Sequence, residues 1–199
     1  MGRWAVLAAA LGLAGCNLVE TRTPLFPPEP GVLKPGVWRA DLKPHCAIDD
    51  TRPPLEWPDC AVGLIIAADG SGLLGGKAPD GHSLDLRLVS GDPLLIEFSP
   101  EPDKSAETSP YTVYLAGRAT RFDGEKRATG ASLWSVQCGP PEGESNLTRH
   151  PFAGLTVDRE ANSCAPSGPQ ALRDAARASE ALVGRDDRLK IRWLRDGEK

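Results

Sequence analysis

Residues Ser83–Phe98 read SLDLRLVSGDPLLIEF. Leu84, Leu86 and Leu88 alternate with Asp85 and Arg87, a period of two that predicts a strand with one apolar face. Ser90-Gly91-Asp92-Pro93 is made of turn-forming residues, and Leu94–Phe98 is apolar enough to return as the partner strand. An isolated hairpin is barely stable in water, so its leucine face calls for further strands or a helix. The stretch therefore points to an antiparallel sheet.

The same alternation recurs on both sides of it. Between Val37 and Leu42, Trp38, Ala40 and Leu42 share one face, with Arg39 and Asp41 on the other. Ala61–Ala68 is almost wholly apolar and is expected to be a central strand buried on both faces, ended by Asp69-Gly70. In Tyr111–Phe122, Val113 and Leu115 lie opposite Thr112 and Tyr114. Asp123-Gly124 is a hairpin signal, and Thr129–Cys138, carrying Leu133, Trp134 and Val136, is its expected partner. Phe152–Val157 is a short strand. Leu189–Leu194 closes the series, with Leu189, Ile191 and Trp193 facing one way and Lys190 and Arg192 the other. The intervening stretches 43–59, 99–109 and 139–149 are proline-containing or polar loops.

One helix is expected. Ser167-Gly-Pro-Gln170 fits a capping box, and Leu172, Ala175, Ala176, Ser179, Leu182 and Val183 recur at helical spacing. Gly184 is placed to end it in a left-handed cap. The fold class is mainly β (α+β): an antiparallel sheet forming a small barrel or sandwich, with one C-terminal helix packed on it.

At the N-terminus, Arg3 precedes an apolar run, Trp4–Leu13, that is too short to span a bilayer, which needs about 20 residues. Small residues then lead to a cysteine. A charged start, a short apolar core and small residues before a cut are the parts of a secretory signal. Leu13-Ala14-Gly15-Cys16 resembles the lipobox of bacterial lipoprotein precursors. The resemblance implies cleavage before Cys16 and acylation of that cysteine, so the membrane is a partner through an N-terminal lipid anchor. Asn17, where aspartate would favour the inner membrane in that family, leans towards the outer membrane facing the periplasm. The expected organisation is a signal peptide over 1–15, the lipidated Cys16 with a proline-rich tether over 16–35, and a single β-rich globular domain over 36–199. Pro24, Pro27, Pro28, Pro30 and Pro35 make that tether extended.

Removing residues 1–15 takes away only Arg3 and lowers the net charge from −4 to −5. That balance argues against nucleic acid as a partner. In an exported chain Cys46, Cys60, Cys138 and Cys164 are expected to be oxidised. Four cysteines permit three connectivities, among which sequence alone does not choose; Cys46–Cys60 and Cys138–Cys164 are the favoured pairs, because each closes a short local loop.

No constellation carries chemistry. Gly70-Ser-Gly72-Leu-Leu-Gly75 matches a dinucleotide pattern, but Gly76, Pro79 and Gly81 follow where a helix would have to start, so a glycine-rich hairpin is expected instead. His82, Ser83, Asp80 and Asp85 are close in sequence, yet neighbours on a strand point to opposite faces. His45 and His150 border loops. Asp49-Asp50 and Asp186-Asp187 read as solvated turns, with no spaced set of oxygen ligands for calcium. No cofactor and no metal are expected, and Asn146-Leu147-Thr148 is a glycosylation sequon by pattern only.

Trp38, Trp134 and Trp193 sit on expected strands, as core or as the lining of an apolar pocket. The expected function is a non-catalytic, membrane-anchored lipoprotein of the cell envelope that binds a partner protein or the cell wall. A carrier of a small apolar ligand in a lipocalin-like barrel, lined by those tryptophans, is the alternative, and an envelope enzyme the second alternative. A filled interior with an apolar outer patch would favour the partner-binding protein; a hollow one would favour the carrier.

Overall fold

A computed structural model describes residues 17–75, 84–100, 111–142 and 147–197. In chain order the strands are β1 (Leu18–Thr21), β2 (Gly36–Asp41), β3 (Ala61–Ile66), β4 (Ser71–Gly75), β5 (Leu84–Val89), β6 (Leu94–Pro100), β7 (Thr112–Phe122), β8 (Ala128–Ser135), β9 (Leu155–Asp158) and β10 (Ser163–Pro166). Helix α1 (Pro169–Ser179) and β11 (Leu189–Arg195) follow.

Strands β2 to β8 form an up-and-down antiparallel meander, and β11 joins its two ends by pairing with both β8 and β2. The eight strands close into a barrel. Closure removes the exposed strand edges that an open sheet would present.

The period-two pattern explains which residues fill it. Trp38, Leu64, Leu86, Leu88, Ile96, Leu115, Leu133 and Ile191 point inward and form one buried cluster. Trp38 lies opposite Leu64 on β3 and Trp193 on β11, so all three share the inner face. An eight-stranded barrel is just wide enough for side chains to fill. Gly117 makes room for one of them: a Cβ there would sit 2.4 Å from Leu133 Cδ2.

A second core lies outside the barrel wall. Val89, Leu95, Tyr114, Ala116, Trp134 and Val136 face outward and are covered by Leu172, Ala175 and Ala176 of α1. The small residues of the helix let it lie close to the wall, and Trp134 Nε1 donates to Ala176 O at 3.0 Å. A three-stranded flap, with β1 parallel to β10 and β9 antiparallel to β10, extends this layer. Cys138–Cys164 ties the chain after β8 to β10. Cys46–Cys60 clips the loop whose Trp57 covers Val37 and Ala61 on the outside of β2 and β3.

Four expectations are corrected. The apolar run from Ala61 is not buried on both faces: the strand ends at Ile66, Leu64 and Ile66 face inward, and Ile65 is exposed. Its outer neighbour there is an equally exposed Leu73 across the β3–β4 pair. The capping box does not form. Gly168 is the N-cap, without a side-chain hydrogen bond, and Pro169 opens the helix. The helix also stops at Ser179 rather than at Gly184, continuing only through i→i+3 bonds from Glu180, Ala181 and Leu182. Arg188 Nη2 donates to the carbonyl of the C-cap Glu180 at 3.0 Å and so satisfies one of the carbonyls left free at that end.

The stretch expected to be a tether lies strapped to the barrel. Asn17 is buried: its N–H donates to Asn162 O (2.8 Å), its Nδ2 to Gly139 O (2.8 Å), and its Oδ1 accepts from the Thr148 N–H (3.1 Å). Leu25 N–H donates to Glu97, Glu29 N–H to Leu88 O, and Lys34 N–H to Ala128 O. The prolines that suggested a spacer instead give an extended strap, which needs no regular partner and crosses the wall with few bonds.

Candidate functional site

The three tryptophans separate. Trp38 and Trp193 face the barrel interior, and Trp134 lies outside it under α1. Each indole is satisfied locally: Trp38 Nε1 donates to Lys34 O at 2.8 Å and Trp193 Nε1 to Pro35 O at 3.0 Å. Lys34 Nζ stands 3.7 Å over the Trp193 ring. The segment Leu33–Pro35 thus caps one end of the barrel, with Leu33 buried in the inner cluster. Inside, apolar side chains meet each other.

The residues weighed for catalysis do not converge. His82, Ser83, Asp80 and Asn146 lie outside the described residues. His45 and His150 are exposed on separate loops. Asp49 is an exposed turn acceptor for Thr51, whose hydroxyl and N–H hold its carboxyl below the usual carboxylate range. Among the described residues no group of three or more His, Cys, Asp or Glu side chains is placed to hold a metal ion.

The outer wall carries a groove of about 880 Å³ over β8, β11 and the end of β2. Gly130 and Ser132 of β8 line it; Ser132 is half-buried, whereas Gly130 is buried beneath Thr120 and Arg121, whose Oγ1 and Cβ would lie 3.0 and 3.4 Å from a Cβ there. On one side stands the chain after β2, Leu42–Pro44; on the other stand Thr120 and Arg121 and the chain between α1 and β11. The strand period dictates its charge. Because Leu189, Ile191 and Trp193 turn inward, Lys190 and Arg192 must turn outward.

Six cations line the groove: Lys43, Arg121, Arg185, Arg188, Lys190 and Arg192. Arg188 is neutralised by Glu180 at 3.1 Å and also lies over Trp134. Arg118 holds Glu180 as well, and these guanidinium contacts keep the Glu180 carboxyl below its ordinary range. Asp41, on the groove margin, is paired with Arg39. Lys43, Arg121, Arg185, Lys190 and Arg192 have no ion pair or side-chain hydrogen bond among the described residues. Asp186 is the single unpaired carboxylate among them.

In sequence, Lys190 and Arg192 read only as the polar face of a closing strand. Lys43, Arg121 and Arg185 come from separate segments, and closure of the barrel alone brings them together. A second, buried charge is Glu97, on the outer face of β6 beneath the strap. Its Oε1 accepts from Leu25 N–H at 3.0 Å, whereas Oε2 is buried without a partner. Burial pushes its carboxyl above the ordinary range.

Comparisons with known proteins add no relative: no family model, no curated protein and no solved structure matches the chain.

Proposed function

We propose that this chain is a lipid-anchored protein of the bacterial cell envelope, on the outer membrane facing the periplasm. Its barrel presents an outer surface to a partner protein or wall polymer and performs no catalysis. The observation that carries the binding half is the apolar cluster buried inside the barrel. Trp38, Leu86, Leu88, Ile96 and Leu133 belong to it, which favours recognition on the outside. The anchor half rests on the lipobox residues Leu13–Cys16. Two local disulfides accord with an oxidising compartment.

Fractionation tests the anchor. The full-length chain is expected with membranes and the Cys16→Ser variant in the soluble fraction. Intact mass is expected to show acylated Cys16 as the first residue. A native chain that begins at an unmodified Met1 overturns the reading.

Closure into an eight-stranded barrel also supports a second reading, a lipocalin-like carrier. Its test is uptake of an apolar fluorophore by the folded protein. Saturable binding that quenches on Trp38→Phe substitution would favour the carrier; its absence favours the outer surface.

A further inference from the structure

We propose that the basic groove over β8 and β11 is a docking site for a short, extended acidic segment of a partner protein, with carboxylates at alternate positions. The proposal rests on the partner-binding reading above and names that partner's chemistry.

Three observations carry it. First, the groove concentrates unpaired positive charge on a chain whose total is negative. Among the described residues that line the groove, Lys43, Arg121, Arg185, Lys190 and Arg192 face only Asp186 as an unpaired carboxylate. Charges more than about 8–10 Å apart are largely screened at physiological salt. A short anion therefore feels this local patch more than the net charge of the whole chain.

Second, the cations have a repeat. Lys190 and Arg192 are two residues apart on one outward face of β11, which puts their Cα atoms ~7 Å apart. An extended peptide repeats its own i and i+2 side chains at the same spacing, so alternate Asp or Glu residues meet both cations in register.

Third, the floor cannot compete. Backbone groups of a closed barrel already pair with neighbouring strands, leaving side chains to do the binding. Ser132, small and half-buried on the outer face, leaves room for a backbone to lie along the wall. The guanidinium forks of Arg121, Arg185 and Arg192 suit carboxylates held two-pronged.

The test uses the full folded chain, in detergent if acylated, so that it reports on the groove independently of anchoring. The probe is a fluorescent octapeptide of alternating Asp and Ser, followed by anisotropy. Binding is expected at low salt, with affinity falling several-fold as salt rises. The double reversal Lys190→Glu/Arg192→Glu is expected to weaken it at least tenfold. Reversing Arg149→Glu/Arg159→Glu, exposed and outside the groove, is expected to leave affinity unchanged. All four side chains are exposed, so both variants should keep the wild-type melting temperature. No binding at low salt, or equal affinity in the groove reversal, overturns the proposal. Tighter capture of inorganic polyphosphate than of the peptide overturns it in favour of a phosphate ligand.

Discussion

Glu97 and Tyr114 stand opposite each other on β6 and β7, on the outer wall of the barrel, and the N-terminal strap crosses both. The Tyr114 hydroxyl bonds Thr21 of the strap, and the Glu97 carboxylate accepts from Leu25. Burial pushes both groups above their ordinary ranges, and the Glu97 charge adds to the shift at Tyr114.

Glu97 makes stability depend on pH with a defined sign. Its carboxyl is raised above 4.5 in the folded chain, so the folded state binds the proton more tightly than the unfolded state does. The cost of burying the charge is absent below 4.5 and grows as pH rises through the folded value. Glu97→Gln removes the charge. Its melting temperature is expected to gain on the wild type as pH rises above that point, and to run parallel to it below. Curves that stay parallel throughout would contradict the buried charge.

Gly63 is where the clipped loop touches the wall. A Cβ there would sit 2.3 Å from Pro54 Cβ and 3.1 Å from the Trp57 ring. Gly63→Val is expected to lift the 46–60 loop and cost about 1–3 kcal/mol, the usual range for overpacking. Urea denaturation gives the loss, and limited proteolysis should place new cuts inside that loop. Undiminished stability would mean the loop yields without strain.

Asn17 is held by its side chain and by an unusual backbone, with φ at 103°. Asn17→Ala leaves the Gly139 carbonyl and the Thr148 N–H without partners, at about 1–3 kcal/mol for each buried group. It also strains the left-handed backbone. Asn17→Gly loses the same bonds but relieves the strain. The expected order in urea is wild type, then glycine, then alanine; equal losses for the two variants would show that the backbone conformation contributes nothing.

The sequence carried the local half of this architecture. Leu84–Phe98 folds as the hairpin its alternation predicts, and Leu189, Ile191 and Trp193 share the inner face as the period requires. The disulfides are the two local pairs. Long-range pairing was not legible. Nothing in Thr112–Ser135 announces that β8 meets β11 rather than an edge, and that contact both closes the barrel and builds the groove. Trp134 shows the same limit: period two separates faces but does not name the inner one, and a helix waiting outside turned an apparent core residue into a second layer. The strand β1 was missed because Leu18–Thr21 is brief and soon followed by prolines, and it is held by β7 and β10 from far along the chain.

The buried Asn17 changes how far the domain could reach if Cys16 carries lipid. A free proline-rich spacer over 17–35 would extend about 60 Å and let the barrel sample a wide hemisphere above the bilayer. With Asn17 fixed in the fold, only one residue, at most about 3.6 Å of chain, separates the acyl chains from a rigid body. Such a protein is mounted rather than leashed. Its groove would keep a constant height and heading, and any ligand would have to approach the lipid surface to meet it.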